Sequence, residues 1–262
     1  MKIVVCIKQV PGTNDAKIDP ETKRIIREGI KAVMNPFDTY ALEEAIRIKE
    51  KVGGEVIVLT MGPQRAELIL REALSVGADR GVLLSDRAFG GSDTWATSYA
   101  LSKAIEKIGS VDLVICGKQA IDGDTAQVGP GIAAHLGWLQ ATYVMAISDI
   151  GNGRLTTKRM HEDGWDRCTL VLPAVLTVVK DINQPRIPTL KGRLAAQNVE
   201  IPLWTAMDIG AELDKIGLNG SPTRVVKTNP PAGRSKTTLR IEGTPTECVR
   251  KLVHELRLRS FI

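Results

Sequence analysis

Short aliphatic, β-branched runs alternate with longer amphipathic segments through the first half of the chain, and that alternation is the signature of parallel strands joined by crossover helices. KIVVCIK (2–8), EVIVLTM (55–61), GVLLS (81–85) and VDLVICG (111–117) read as strands. Between the first two, Asp38 is expected to cap a helix running through TYALEEAIRIKEKV to Gly53, with Leu42, Ala45, Ile46 and Ile48 near a 3.6-residue period. A second helix is predicted from Pro63 at its first position through AELILREALSVG. A third is predicted from Ser92 or Asp93 through ATSYALSKAIEKI. Right-handed crossovers then give an α/β fold, a mostly parallel doubly wound sheet with helices on both faces and ligands outside the carboxyl ends of the strands.

After Gly137 the pattern changes. ATYVMAISDI, GRLTTKRM and RCTLVLPAVLTVVK are strand-like and separated by GNG and EDG, which read as hairpin turns, so antiparallel strands are expected to join the sheet. Beyond Asp181 the prolines gather in NQPRIPTL, EIPLW and TNPPAGR, and only TECVRKLVHELRL reads as a helix. The organisation expected is an α/β nucleotide-binding domain over 1–187, followed by a docking loop and C-terminal arm over 188–262 that fold by lying on a partner.

The chain has 262 residues, 43% of them hydrophobic and 25% charged, enough for a full core and without the composition of a disordered protein. No apolar run approaches the roughly 18 residues of a membrane span, and MKIVVCIKQVP reads as a first strand without an export signal, so a soluble cytoplasmic protein is expected. The four cysteines form no C-x-x-C pair and the three histidines have no metal-ligand spacing, so neither disulfide nor metal is expected. Lys and Arg total 35 against 30 Asp and Glu, too dilute a surplus for nucleic acid, and 4% aromatics leaves few stacking platforms. Arg186, Lys191 and Arg193 read as a solvated basic loop, and Trp138, Trp165 and Trp204 as packed residues.

Four polar, turn-rich connections follow the predicted strands: KQVPGTN, MGPQ, SDRAFGGSDTWAT and GKQAIDGDTAQVGP. In a parallel sheet they converge on one edge, and the convergence marks a ligand site. Gly90, Gly91, Gly123 and Gly129 allow close approach of backbone amides, the helix near Asp93 and Thr94 offers its dipole to phosphate, and Thr94, Thr97 and Thr125 add hydroxyls. Asp122 and Asp124 would repel a bare diphosphate and suit ribose or ribityl hydroxyls. Neither G-x-G-x-x-G nor a P-loop occurs in these loops. No nucleophile elbow is present, so no catalytic residue is assigned.

IKQVP, MNPFDTYALEEA, VLTMGP, VGADRGVLLSDRAFGGSDTWATS and CGKQAIDGDTAQVGP, in that order, resemble the beta subunit of electron transfer flavoproteins. The likeness continues through LPAVLTV, NQPRIPTL and SPTRVVK to the final helix, and Arg159–Thr177 stands for the family's diagnostic segment, with Asp166 and Cys168 departing from its pattern. The resemblance implies a heterodimer with an FAD-holding alpha subunit. It implies a second nucleotide in this chain: AMP in the respiratory branch, or in the bifurcating branch an FAD that takes hydride from NADH. That branch divides the electrons between ferredoxin or flavodoxin and the alpha-subunit flavin, and SDRAFGGSDTWATS, DGDTAQVGP and SPTRVVK look more like it. Carried over by position, Ile7, Gln9, Val10, Asn35, Asp38, Thr60 and Met61 would surround adenine and ribose. Asp122, Gly123, Thr125, Ala126, Gln127 and Val128 would wrap the diphosphate or ribityl region, and Thr94 and Thr97 would face phosphate. Leu190 would anchor a flavin-dependent dehydrogenase, with Lys191 and Arg193 beside it. Flavin electron transfer needs no acid–base triad, in keeping with the missing catalytic constellation.

Overall fold

Ile3, Val4 and Val5 are wholly buried, which requires a strand with neighbours on both edges and cover on both faces. The computed structural model describes residues 1–12, 32–226 and 238–262. In chain order the elements are β1 (Lys2–Cys6), β2 (Gln9–Pro11), β3 (Ala32–Met34), α1 (Pro36–Val52), β4 (Glu55–Met61), α2 (Glu67–Val76), β5 (Arg80–Leu84), α3 (Thr94–Ile108) and β6 (Leu113–Gly117). There follow α4 (Val128–Leu136), β7 (Leu139–Gly151), β8 (Arg154–His161), β9 (Gly164–Val171), β10 (Ala174–Val178), α5 (Leu190–Gln197), β11 (Leu203–Trp204) and α6 (Pro245–Leu258). The main sheet has nine strands in the order β11-β5-β4-β1-β6-β10-β7-β8-β9.

Strands β11 through β7 run parallel, and β8 and β9 extend the sheet antiparallel. Side chains alternate across a strand, and β1 shows the result: Ile3, Val5 and Ile7 pack with α1 and α2, while Val4 and Cys6 pack with α3 and α4. The fold is thus the doubly wound α/β sheet with added antiparallel strands that the alternating pattern predicts. The chain falls into two compact units, Met1–Val225 and Val226–Ile262. The segment 188–225, expected with the arm, clusters with the larger unit. In the smaller unit α6 begins with a capping box formed by Thr244 and Glu247.

Several local expectations are corrected. Helix α1 begins at Pro36 with Asn35 as its cap, because proline has no N–H to lose and its φ is preset for the first turn. Asp38 lies inside that first turn and turns its carboxylate to Lys8 instead. Pro63 precedes a single 3-10 turn, Gln64–Ala66, before α2 starts at Glu67. The run RCTLVLPAVLTVVK divides at Pro173, which cannot donate to a ladder, into antiparallel β9 and a buried parallel strand, β10, inserted between β6 and β7. Within the proline-rich region α5 forms because Thr189 caps it, its hydroxyl accepting from the Gly192 amide. Its far end is held by Arg71 of α2, which donates to the carbonyls of Ala196, Gln197 and Val199. Trp138 and Trp204 pack against the core, whereas Trp165 is exposed under Lys158. TNPPAGR, Lys227, and Thr13 and Asn14 of the first loop lie outside the described residues.

Arg186 is no solvated charge. Its guanidinium donates to both carboxylate oxygens of Glu43 and to Glu50, and its amide donates to Glu43 as well. The Glu43 side chain is 4% exposed. Burial opposes its charge, but the bonds from Arg186 and Arg47 outweigh that and hold its pKa below the usual carboxylate value. Removing Arg186 strands a buried carboxylate. Arg186→Ala is expected to lower stability by about 1–3 kcal/mol, read as a shifted urea midpoint. An unshifted midpoint would refute the account.

Candidate functional site

A cavity of about 360 Å³ opens at the carboxyl ends of β1 and β6, between the start of α1 and the starts of α3 and α4. A more open recess of about 570 Å³ lies along the sides of α3 and α4 by Trp95, Tyr99, His135 and Lys215. The smaller cavity is the candidate site, because strand ends and two helix N-termini converge on it as in other doubly wound sheets.

Helix α3 starts cleanly because Asp93 accepts from the amides of Trp95 and Ala96 at 3.0 and 3.1 Å. The second oxygen of Asp93 accepts from the amide and hydroxyl of Thr223, and the Asp93 amide donates to Ser221 Oγ. Burial raises the Asp93 pKa, but these donors outweigh it and hold the carboxyl low. Helix α4 begins at Val128 after Gln127, and the first amides of a helix have no carbonyl of their own helix to meet. Thr94 Oγ1 donates to Gln127 Oε1 at 2.8 Å, joining the two helix starts across the site. Ala126 has φ 54 and Gln127 φ −104. A left-handed residue followed by a right-handed one turns successive amides to one side, a concavity that suits anions. Such a conformation costs an alanine about 1–2 kcal/mol. Gly129 is required: a methyl there would overlap Thr177 of β10. Glycine thus lets the α4 terminus sit tight against the sheet.

The repulsion expected of Asp122 and Asp124 is relieved locally. Asp122 takes the Lys8 ammonium on both oxygens, at 2.7 and 2.9 Å, and Asp124 accepts from Gln119 Nε2. The donor set therefore fits a dinucleotide's diphosphate: two helix N-termini, a concave run of amides, and no unpaired carboxylate between them.

Asp38 closes the opposite wall. Its side chain accepts from the Lys8 amide at 2.7 Å, from Asn35 Nδ2 at 2.9 Å, and from the Gly117 amide. Asn35 in turn donates to the Gln119 carbonyl and accepts from the Ile121 amide, so one buried pair links the loops after β1 and β6 to α1. Burial pushes the Asp38 carboxyl up to about 7 despite these donors and Lys8. Cys6 and Cys116 pair in register on adjacent strands and line the floor. A side-chain hydrogen bond to Cys6, with burial, pushes the Cys116 thiol well above its usual range, which keeps it protonated and unreactive.

Of the residues singled out from the sequence, Ile7, Asn35, Asp38, Met61, Thr94, Thr97, Gly123, Thr125, Ala126, Gln127 and Val128 line this cavity. Asp122 stands at its rim with Lys8. Thr60 is fully buried within β4, its hydroxyl without a partner. Val10 is buried in β2, and Gln9 donates to the Arg65 carbonyl. Gly91 faces Leu218 rather than the cavity. Leu190 is exposed on α5 beside Lys191 and Arg193, away from the site. The wall residues Cys6 and Cys116 went unread in the sequence, and Lys8, Lys118 and Gln119 lie within the predicted connections without being singled out; their signal is position at a strand's carboxyl end. Among the described residues no cluster of His, Cys, Asp and Glu suits a metal, and no helix is long and apolar enough to cross a membrane.

The fold and the placement of this cavity define a doubly wound α/β protein with its site at the strand carboxyl ends. The family model for the electron transfer flavoprotein domain matches residues 22–209. The chain is 51% identical over the full length of both proteins to the electron transfer flavoprotein subunit beta of Thermoanaerobacterium thermosaccharolyticum. It is 46% identical, again over both full lengths, to the caffeyl-CoA reductase-Etf complex subunit CarD of Acetobacterium woodii. To protein FixA of Azorhizobium caulinodans it is 44% identical, covering 99% of this chain and 95% of that one. The chain belongs to the electron transfer flavoprotein family, as one of its beta subunits, which pair with an alpha subunit.

The protonated form of Asp38 is favoured by the fold, so its contribution to stability is fully present below about 4 and lost as pH rises through about 7. Asp38→Asn has one acceptor oxygen fewer and is expected to lower stability at acid pH while flattening the decline between about pH 4 and 7. Urea melts at several pH values check this; an undiminished slope in the variant would exclude Asp38 as the titrating group.

Proposed function

We propose that this chain binds a second FAD in the strand-end cavity of a cytoplasmic heterodimer, where NADH is the electron donor. The electrons go to ferredoxin or flavodoxin and, through the alpha-subunit FAD, to a flavin-dependent dehydrogenase. The observation that carries the reading is the convergence of two helix N-termini, joined by Thr94 and Gln127, beside the left-handed Ala126. A single phosphate needs one helix terminus; two suit a diphosphate.

When bound, the flavin supplies hydride acceptance and single-electron transfer. The protein's part is to hold and orient. The amides around Thr94 and from Thr125 to Gly129 take the diphosphate, with Thr97 beside them. Ile7, Asn35, Asp38 and Met61 frame the nucleoside, with Gln9, Val10 and Thr60 behind that wall. Asp122 keeps the loop over the ligand through Lys8. The exposed Leu190, with Lys191 and Arg193, is the docking point for the dehydrogenase. Full-length likeness to a subunit of a complex containing caffeyl-CoA reductase supports a partner of that kind.

Denaturing release of nucleotides from the purified heterodimer tests the reading. Two FAD and no AMP per dimer are expected, and Thr94→Val or Asp122→Ala should lower the yield of the second FAD. One FAD with one AMP would instead make the subunit a conventional scaffold around a structural nucleotide. Unchanged FAD content in both variants would overturn the residue placement.

A further inference from the structure

Lys118 leaves β6 at the cavity wall, and its ammonium lies 5.4 Å from the Phe37 ring centroid and 5.3 Å from that of Tyr143. Phe37 follows Pro36 in the first turn of α1. Tyr143 reaches Lys118 by an unusual route. Its φ is 57, a left-handed conformation that a bulky residue adopts only against steric resistance. It falls where β7 and β10 slip register between Leu176 and Val178. An extra residue in a strand re-aims a side chain, and bulges gather beside functional sites. The Tyr143 amide donates to Thr177 Oγ1 at 3.2 Å, which fixes the bulge.

Ring faces attract a cation without neutralising it. Among the described residues no carboxylate lies within ion-pairing distance of Lys118. The other lysine on the wall, Lys8, is already matched by Asp122. Among the described residues no carboxylate therefore offsets the charge that the two rings hold on Lys118. The α3 and α4 termini that serve phosphate pack on one face of the sheet and α1 on the other; along the sheet, Ile7 and Met61, which frame the nucleoside, stand at the ends of β1 and β4, whereas Lys118 and Tyr143 lie on the opposite side of β1, at β6 and β7.

We infer that Lys118 compensates negative charge on the part of the bound ligand remote from its phosphates, and that Phe37 and Tyr143 position it for this. The inference rests on the flavin reading above. Hydride transfer from NADH gives NAD⁺ and a reduced flavin with one added proton, two added electrons and one net negative charge on the ring; the ring is the only part of the dinucleotide that gains charge. A fixed cation there favours the reduced form.

The heterodimer carrying Lys118→Gln, Lys118→Arg or Tyr143→Leu is compared with wild type by nucleotide release and by potentiometric titration of its flavins. Lys118→Gln is expected to keep both FAD and to lower the reduced-to-oxidised ratio of one flavin at a fixed poise about tenfold, equivalent to roughly 30 mV for two electrons. Lys118→Arg should stay near wild type, and Tyr143→Leu should move the same flavin in the same direction by less. Two retained FAD with both couples unchanged in Lys118→Gln would overturn the inference alone. Loss of the second FAD from Lys118→Gln but not from Lys118→Arg would assign the charge to phosphate binding and also overturn it. One FAD and one AMP from wild type would remove the flavin reading and this inference with it.

Discussion

The loops that form the cavity depend on a carboxyl group with no cation bonded to it. Asp38 sits where β1, β6 and α1 meet, and three donors from those three segments close on its two oxygens. Desolvation and hydrogen bonding act on it in opposite directions, and desolvation prevails, which leaves a group that titrates near neutrality inside a wall of the cavity. Each of its bonds belongs to a different segment, so the one carboxyl ties three of them together. The Asn35 side chain extends the same junction to residues 119 and 121. The geometry of the site is therefore set less by the loops themselves than by this knot beneath them.

Above the knot the electrostatics are divided by face. The α3 and α4 termini and the turned amides near Ala126 gather partial positive charge on one side. Lys118, caged by two rings, puts a whole charge on the other. Between them Asp122 and Asp124 are already matched with Lys8 and Gln119. The cavity wall thus offers positive charge at two separate places.

The parallel strands, the three crossover helices and the convergence of loops were legible because each rests on local pattern: aliphatic runs, a 3.6-residue period, and polar turns after strands. Asp93 was legible as a cap for the same reason. What escaped prediction depends on contacts distant in sequence. Arg186 reads as a surface charge until α1 brings Glu43 and Glu50 to it across more than 130 residues. Asp38 has the residue type of a helix cap, and only Pro36 beside Asn35 shifts the start and frees its carboxyl for Lys8. Nothing in LVLPAVL announces that Pro173 separates an antiparallel strand from a parallel one, because the residues on both sides of the proline are apolar. Lys118 falls within a connection that reads as part of the site, but its cage is invisible, since it needs a bulge in β7 that no local motif encodes.

Helix α5 packs closely on α2 through Gly192 and Ala196 and is held at both ends, while its other face is left outward. Thr189 holds its start, Arg71 grips the carbonyls at its finish, and Arg186 pins the approach to α1. Ile187, Leu190 and Leu194 remain 83%, 75% and 55% exposed. Side chains carrying so little of the fold's packing are at liberty to drift. Substitutions on this outward face would leave the cavity at the strand ends as it is.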